Sequence, residues 1–206
     1  MKYTCLLMAS GKGERLGLGY NKVLYKMNNG LSIVENAARL FIDDVDCERL
    51  IVVGNDEIER VNFNSEKVEF VRGGDLRMDS VFNGLKKVKS EYVLIHDGAR
   101  PYLKKVHLEK IKVAVVEYKA VIMAVKAKDT IKLVDNGIII DTIDRNHIYH
   151  AQTPQAFNTD LLKKAYKNAS FEASDESVLM EKMGISVHIV EGDHQNNKIT
   201  FPEDLF

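Results

Sequence analysis

Three stretches of the chain carry side chains whose types and spacing suit work on a phosphate. The first, LLMASGKGERLGLGYNK at residues 6–22, places Gly11, Gly13, Gly17 and Gly19 among Lys12, Arg15 and Lys22, directly behind an apolar run. Glycine lets backbone amides close around an anion, and fixed cations neutralise it. The spacing matches neither familiar phosphate loop. A dinucleotide loop, G-x-G-x-x-G, would need glycine where Leu16 stands, and G-x-x-x-x-G-K-[ST] is absent. The residues fit either a cradle that brings its own guanidinium and ammonium, or a glycine-rich turn with solvated lysines. The second stretch, RGGDLRMDSVFNGL, sets Gly73 and Gly74 before a helical pattern that opens with Asp79 and Ser80. That suits approach by a polar ring or ribose, or simple helix capping. The third, VLIHDGARPYL, puts Asp97 and Arg100 just past an apolar run.

These residues must be positioned by the elements between them. Residues 3–8, 50–53, 68–71, 92–95 and 121–125 read as strands, flanked by Gly, Asp or Asn. Residues 32–41, 78–88 and 106–118 place apolar side chains at three- and four-residue spacing, as amphipathic helices do. Strands alternating with helices predict an α/β fold, a mostly parallel sheet with helices on both faces. Ligands bind such sheets at the carboxyl ends of the strands, where the glycine loop and the Asp97 turn both fall. One segment departs from the alternation. In KDTIKLVDNGIIIDTIDRNHIYH, residues 128–150, two strand-like halves flank Asn136-Gly137, a strong hairpin signal. It predicts a β-arm protruding from a single domain that spans residues 1–206.

Composition narrows the partners. Twenty-nine Lys and Arg against thirty Asp and Glu leave a formal charge of -1, so no overall field recruits nucleic acid or an anionic membrane. No run approaches eighteen uninterrupted apolar residues, and no cationic-then-apolar leader opens the chain. Cys5 and Cys47 are too few and too far apart for a thiolate zinc site or a disulfide framework, which suits a reducing cytoplasm. None of the six histidines has metal-ligand spacing and no G-x-S-x-G elbow occurs. His96 therefore reads as a packed or hydrogen-bonded structural residue. Asp175 and Glu176, in SDES, read as structural or helix-capping.

Taken in order, ASGKGERLG with the later NK, RGGDLRMDSV, HDGARP, KDTIK, DRNHIYHAQTPQAF, SDES and VEGDHQNNKITFPEDL span nearly the whole chain. Together they resemble the motifs of the 2-C-methyl-D-erythritol 4-phosphate cytidylyltransferase family. The resemblance implies a Rossmann-like nucleotidyltransferase fold with a protruding β-arm, and transfer of a cytidylyl group from CTP to a sugar-alcohol phosphate with release of pyrophosphate. Arg15, Lys22, Asp97 and Lys198 match the catalytic positions. Ala9, Ser10, Gly11, Gly13, Gly74, Asp75 and Ser80 match nucleotide-binding positions. Arg100, Thr130, Arg145 and Thr153 match positions that face the acceptor, Thr130 and Arg145 from the arm. Mg2+ is implied as cofactor, held mainly by the triphosphate, with Asp97 a candidate ligand.

The same resemblance implies a homodimer through the β-arm, whose six apolar side chains at 131, 133, 138, 139, 140 and 143 exceed what a free hairpin should expose. Two residues depart from the family pattern: Asn21 stands where many members have proline before the first-motif lysine, and Asn197 where an apolar residue precedes the last one. The pattern also continues into a closing C-terminal helix where this sequence ends. Two other readings compete: a pentitol (ribitol) 5-phosphate cytidylyltransferase, and a non-catalytic CTP-binding scaffold. The wording HDGARP favours the methylerythritol acceptor.

Overall fold

The structure, a computed structural model, describes residues 1–11 and 19–205. Its centre is a seven-stranded sheet built from β1 (Tyr3–Met8), β2 (Cys47–Gly54), β3 (Val68–Arg72), β4 (Tyr92–Asp97), β5 (Ala120–Lys126), β8 (Tyr149–Asn158) and β9 (His188–Glu191), in the order β3-β2-β1-β4-β8-β5-β9. The first four strands are parallel, and β9 is parallel to β5. β8 runs antiparallel between β4 and β5. The predicted parallel sheet is thus present with one reversed strand inside it.

β1 and β4 are buried along their whole length and mostly apolar, as strands covered on both faces must be, with Thr4, His96 and Asp97 the polar exceptions. Helix α1 (Ile33–Asp43) and α4 (Lys105–Tyr118) cover one face through Val34, Phe41, Leu108 and Ile111. α3 (Arg77–Leu85), α5 (Thr159–Asn168) and α6 (Glu176–Lys182) cover the other through Val81, Leu85, Leu162 and Met180. The short α2 (Asp56–Glu59) follows β2 and packs so closely that a Cβ on Gly54 would lie 2.6 Å from that of Ile58. Helix starts follow local chemistry: Ser32 and Glu35 cap α1 reciprocally, and Asn158 and Asp175 accept amides at the starts of α5 and α6.

β8 is the element that the sequence reading lacks. QTPQAF looks unlike a central strand because proline cannot donate to a ladder. The chain accommodates it with a bulge: Ile122 pairs with Gln155 and Met123 with Gln152, so Thr153 and Pro154 stand outside the β5 register. β9 and the short helices α2, α5 and α6 are likewise additions to the elements expected. The arm is as predicted, with β6 (Ile131–Asp135) and β7 (Ile138–Ile143) pairing only with each other. Asn136 and Gly137 turn it, both at positive φ (47° and 81°), the geometry that Asn-Gly adopts readily.

Candidate active site

Four parallel strands end at one rim, and backbone bonds continue their ladders beyond the strands. The amide of Ala9 donates to Val53, that of Gly98 to Met8, and that of Gly73 to Gly54. The strand order turns outward in both directions from β1 and β4, so a crevice opens between their carboxyl ends. It holds about 910 Å³. Ala9, Ser10, Gly11, Lys22, Gly74, Asp75, Ser80, Asp97 and Lys198 all line it, which gathers nine of the expected residues from five separate stretches. Gly13 and Arg15 lie outside the described residues.

The glycine pair is demanded by close packing. Ser80 is buried, and its hydroxyl accepts from the Gly74 amide at 3.0 Å and from the Ser10 hydroxyl at 3.2 Å. A Cβ on Gly74 would sit 2.4 Å from that of Asp79, and one on Gly73 2.9 Å from Ser10 and Ser80. Asp79 caps α3 through the Leu76 amide. Ser80 therefore stitches the first loop to the second, and Asp79 has the capping role.

Asp97 sits on the cleft floor, 3.0 Å from the Lys198 ammonium and 3.3 Å from Arg100 Nε. Burial works against its ionisation, but Lys198, Arg100 and Arg77 outweigh that and hold its pKa at about 2. It is a carboxylate at any physiological pH. Its backbone amide donates to Thr153 Oγ1 at 3.0 Å, which is the use made of the β8 bulge.

Thr153 Oγ1 also lies 3.0 Å from His96 Nδ1, and His96 Nε2 lies 3.0 Å from the Arg100 carbonyl. A carbonyl only accepts, so Nε2 carries the proton and Nδ1 accepts from the threonine hydroxyl. Burial lowers the His96 pKa to about 4 and keeps the ring neutral, as this pattern requires. His96 is thus the hydrogen-bonded structural residue expected.

Two expected acceptor contacts stand behind the cleft wall. Thr153 is buried in the bracket just described, and Arg100 spends its guanidinium on Asp97 and on the Asn196 carbonyl at 2.7 Å. Neither lines the cleft. Thr130 and Arg145 lie exposed on the arm and do not line the cleft of their own chain; Arg145 donates to the Lys128 carbonyl at 2.8 Å.

The loop before Lys198 is fixed from below. Asn196, fully buried, donates to the Thr153 carbonyl at 2.9 Å, and the Ile199 amide donates to Ala99. Asn197 points outward, while Asn196 and the buried Ile199 supply the packing on either side.

Among the cleft residues given no role by the sequence, Arg77 matters most to the charge balance. Arg77 opens α3, lines the cleft and makes a two-pronged ion pair with the buried Glu176, at 2.7 and 2.9 Å. Tyr166 also donates to Glu176. A usable signal was present: a cation in the first turn opposes the helix dipole, so its placement there calls for a partner. Among the described residues, no group of three His, Cys, Asp or Glu could hold a metal ion by itself, and no helix is long and apolar enough to cross a membrane.

Comparison with known proteins agrees along the whole chain. The profile of the 2-C-methyl-D-erythritol 4-phosphate cytidylyltransferase family matches residues 3–206. Proteins of that name from Bacillus mycoides and Geobacillus thermodenitrificans are 40% and 39% identical to it, over 98% and 100% of this chain and 94% of each relative. The crystal structure of the Francisella tularensis enzyme of that name superposes with a TM-score of 0.86 at 30% identity, covering 100% of this chain and 97% of that one. Sequence, fold and cleft converge, and the chain belongs to the 2-C-methyl-D-erythritol 4-phosphate cytidylyltransferase family.

Proposed function

We infer that this protein transfers the cytidylyl group of CTP to 2-C-methyl-D-erythritol 4-phosphate, forming 4-diphosphocytidyl-2-C-methyl-D-erythritol and pyrophosphate. The observation that carries this is the family match over residues 3–206, joined to a cleft that gathers the matching residues. The named relatives favour the methylerythritol acceptor over a pentitol phosphate.

A phosphate oxygen of the acceptor attacks the α-phosphorus of CTP, and the bond to the β-phosphate breaks with pyrophosphate leaving. The acceptor's second phosphate pKa is about 6, so it is largely a dianion at neutral pH and no general base is needed. Catalysis then rests on countering negative charge as it accumulates. Lys22 and Lys198 stand on the same cleft and are assigned that work, with Arg15 as a third cation. The loop amides from Ala9 to Gly13 are assigned the triphosphate, and Gly74, Asp75 and Ser80 the cytosine and ribose.

Mg2+, when bound, would supply positive charge against that of the triphosphate. Asp97 fits such an ion: it is an ionised, hard-oxygen ligand on the cleft floor, of the kind that holds Mg2+ together with substrate phosphates. In this reading Arg100 and Thr153 act on the acceptor chiefly by fixing Asp97 and the Lys198 loop.

The arm supports a homodimer. Leu133, Val134, Ile138, Ile139 and Ile140 are each at least half exposed, too much apolar surface for a hairpin in water. A second copy covering this face would bring Arg145 and Thr130 towards the partner's cleft and its acceptor phosphate. We place the enzyme in the cytoplasm, where Cys5 and Cys47, both free and buried, suit reducing conditions.

The test is direct. With Mg2+ and CTP, pyrophosphate should appear with methylerythritol phosphate, and far more slowly with ribitol phosphate or with UTP in place of CTP. Release with ribitol phosphate alone would reassign the acceptor. Release with neither would leave a nucleotide-binding scaffold.

A further inference from the structure

Lys22 reaches the cleft from a single 3-10 turn, Lys22–Leu24, which is anchored in the core through Val23. The residue before it is bound far more tightly than a loop residue needs to be. Asn21 is 2% exposed, and each of its polar groups has a partner. Its side-chain Nδ2 donates to the Ala9 carbonyl at 3.0 Å, and its Oδ1 accepts from the Val23 amide at 3.3 Å. Its backbone N–H donates to Glu57 Oε2 at 3.3 Å, and its carbonyl accepts from Leu24 at 2.9 Å.

These partners belong to separate structures. Ala9 is the cleft residue whose amide extends the β1–β2 ladder, Glu57 lies on α2, and Val23 and Leu24 form the turn that carries Lys22. Burying a carboxamide is unfavourable unless it is fully bonded, and an apolar side chain here would leave the Ala9 carbonyl without this donor. Asn21 does not itself line the cleft.

We propose that Asn21, braced by Glu57, is a positioning residue for the transfer reaction: it clamps the Lys22 turn to the end of β1 and so sets where the ammonium stands beside the α-phosphate. This rests on the charge-stabilising role assigned above to Lys22. Because Asn21 acts through Lys22, its contribution should disappear when Lys22 is gone.

A double-mutant cycle tests this, with kcat, KM for CTP and the affinity for a non-hydrolysable CTP analogue with Mg2+ measured for each variant. Asn21→Ala should lower kcat by about tenfold while KM and analogue affinity stay within about threefold. In the Lys22→Ala background the same change should alter kcat by less than about twofold. Losses that multiply, or an Asn21→Ala enzyme with normal kcat, overturn the proposal and leave the role of Lys22 intact. An unimpaired Lys22→Ala enzyme overturns both. Should Asn21→Ala fail to fold, Glu57→Ala on the exposed α2 removes the brace instead. It should lower kcat about threefold in the parent and not in Lys22→Ala, and an unchanged kcat in the parent overturns the proposal.

Discussion

The cleft and the arm solve opposite problems. Around the cleft, each buried polar group is bonded to a neighbour: Asp97 to Lys198 and Arg100, Thr153 to His96, Glu176 to Arg77, Ser80 to Gly74. On the arm, isoleucines that would belong in a core face outward, and β6 and β7 pair only with each other. The cleft's described polar groups find partners within one chain; the arm's apolar face does not. Chemistry on a triphosphate needs fixed charge at fixed distance, which only a bonded, half-desolvated framework supplies. An apolar hairpin needs only a matching surface, which in the proposed dimer a second copy supplies.

This contrast is broken most severely by removing cleft charge. Lys22→Ala should lower kcat by about a hundredfold, the scale for losing one transition-state partner, with a smaller change in KM for CTP. A steady-state assay of pyrophosphate release decides it, and an unchanged kcat would mean that the cleft's cations are structural.

The next largest effect sharpens the arm's side. Arg145→Ala and Lys22→Ala chains, mixed and allowed to exchange subunits, should recover up to about a quarter of parental activity, since half the dimers would hold one site with both residues. Each variant alone should stay near background. Recovery requires crossed arms, whereas no recovery after confirmed exchange, or a monomer by light scattering, would confine Arg145 to its own chain.

A third test probes how tightly the cleft is packed without touching a charge. Gly74→Ala forces a Cβ to within 2.4 Å of Asp79, so the α3 start must move away from the loop. Overpacking on that scale should raise KM for CTP by about tenfold, with the dimer intact by mass. An unaltered KM would show that the loop yields freely.

The smallest effect is on stability. The His96 imidazole protonates near its ordinary 6.5 when the chain is unfolded but only at about 4 when folded. Its contribution is therefore complete above pH 6.5 and is lost as pH falls towards 4. Between pH 7 and 5.5 the loss should be about 1 kcal/mol. Denaturant titrations at several pH values would measure it, and a His96→Asn chain should lack that share of the slope.

Much of this was legible locally. The glycine spacing, the Asp97 turn, the Asn-Gly hairpin and the first strands are each written in fewer than about twenty residues, and short-range pattern suffices to read them. What stayed hidden depends on distant partners. Arg77 looks like an ordinary surface cation until α6, about a hundred residues later, supplies Glu176. β8 carries no strand signal of its own because its proline is tolerable only where the β5 pairing skips Thr153 and Pro154. Arg100 and Thr153, read as groups facing the acceptor, are bonded to Asp97, Asn196 and His96 and do not line the cleft, since which way a polar side chain turns is settled by its neighbours and not by its motif.

The sequence by itself determined that a buried first strand ends in a glycine loop, that strands and helices alternate, and that one apolar hairpin stands apart, because periodicity and turn chemistry are local properties of the chain. Only the tertiary structure decided that β1 and β4 end side by side, that Lys22, Asp97 and Lys198 meet on one cleft, and that His96 and Asn21 are bonded beneath it. The reason is physical: strand order and burial are set by the whole core at once, and a polar residue's role follows from which donors and acceptors that core leaves within about 3 Å of it.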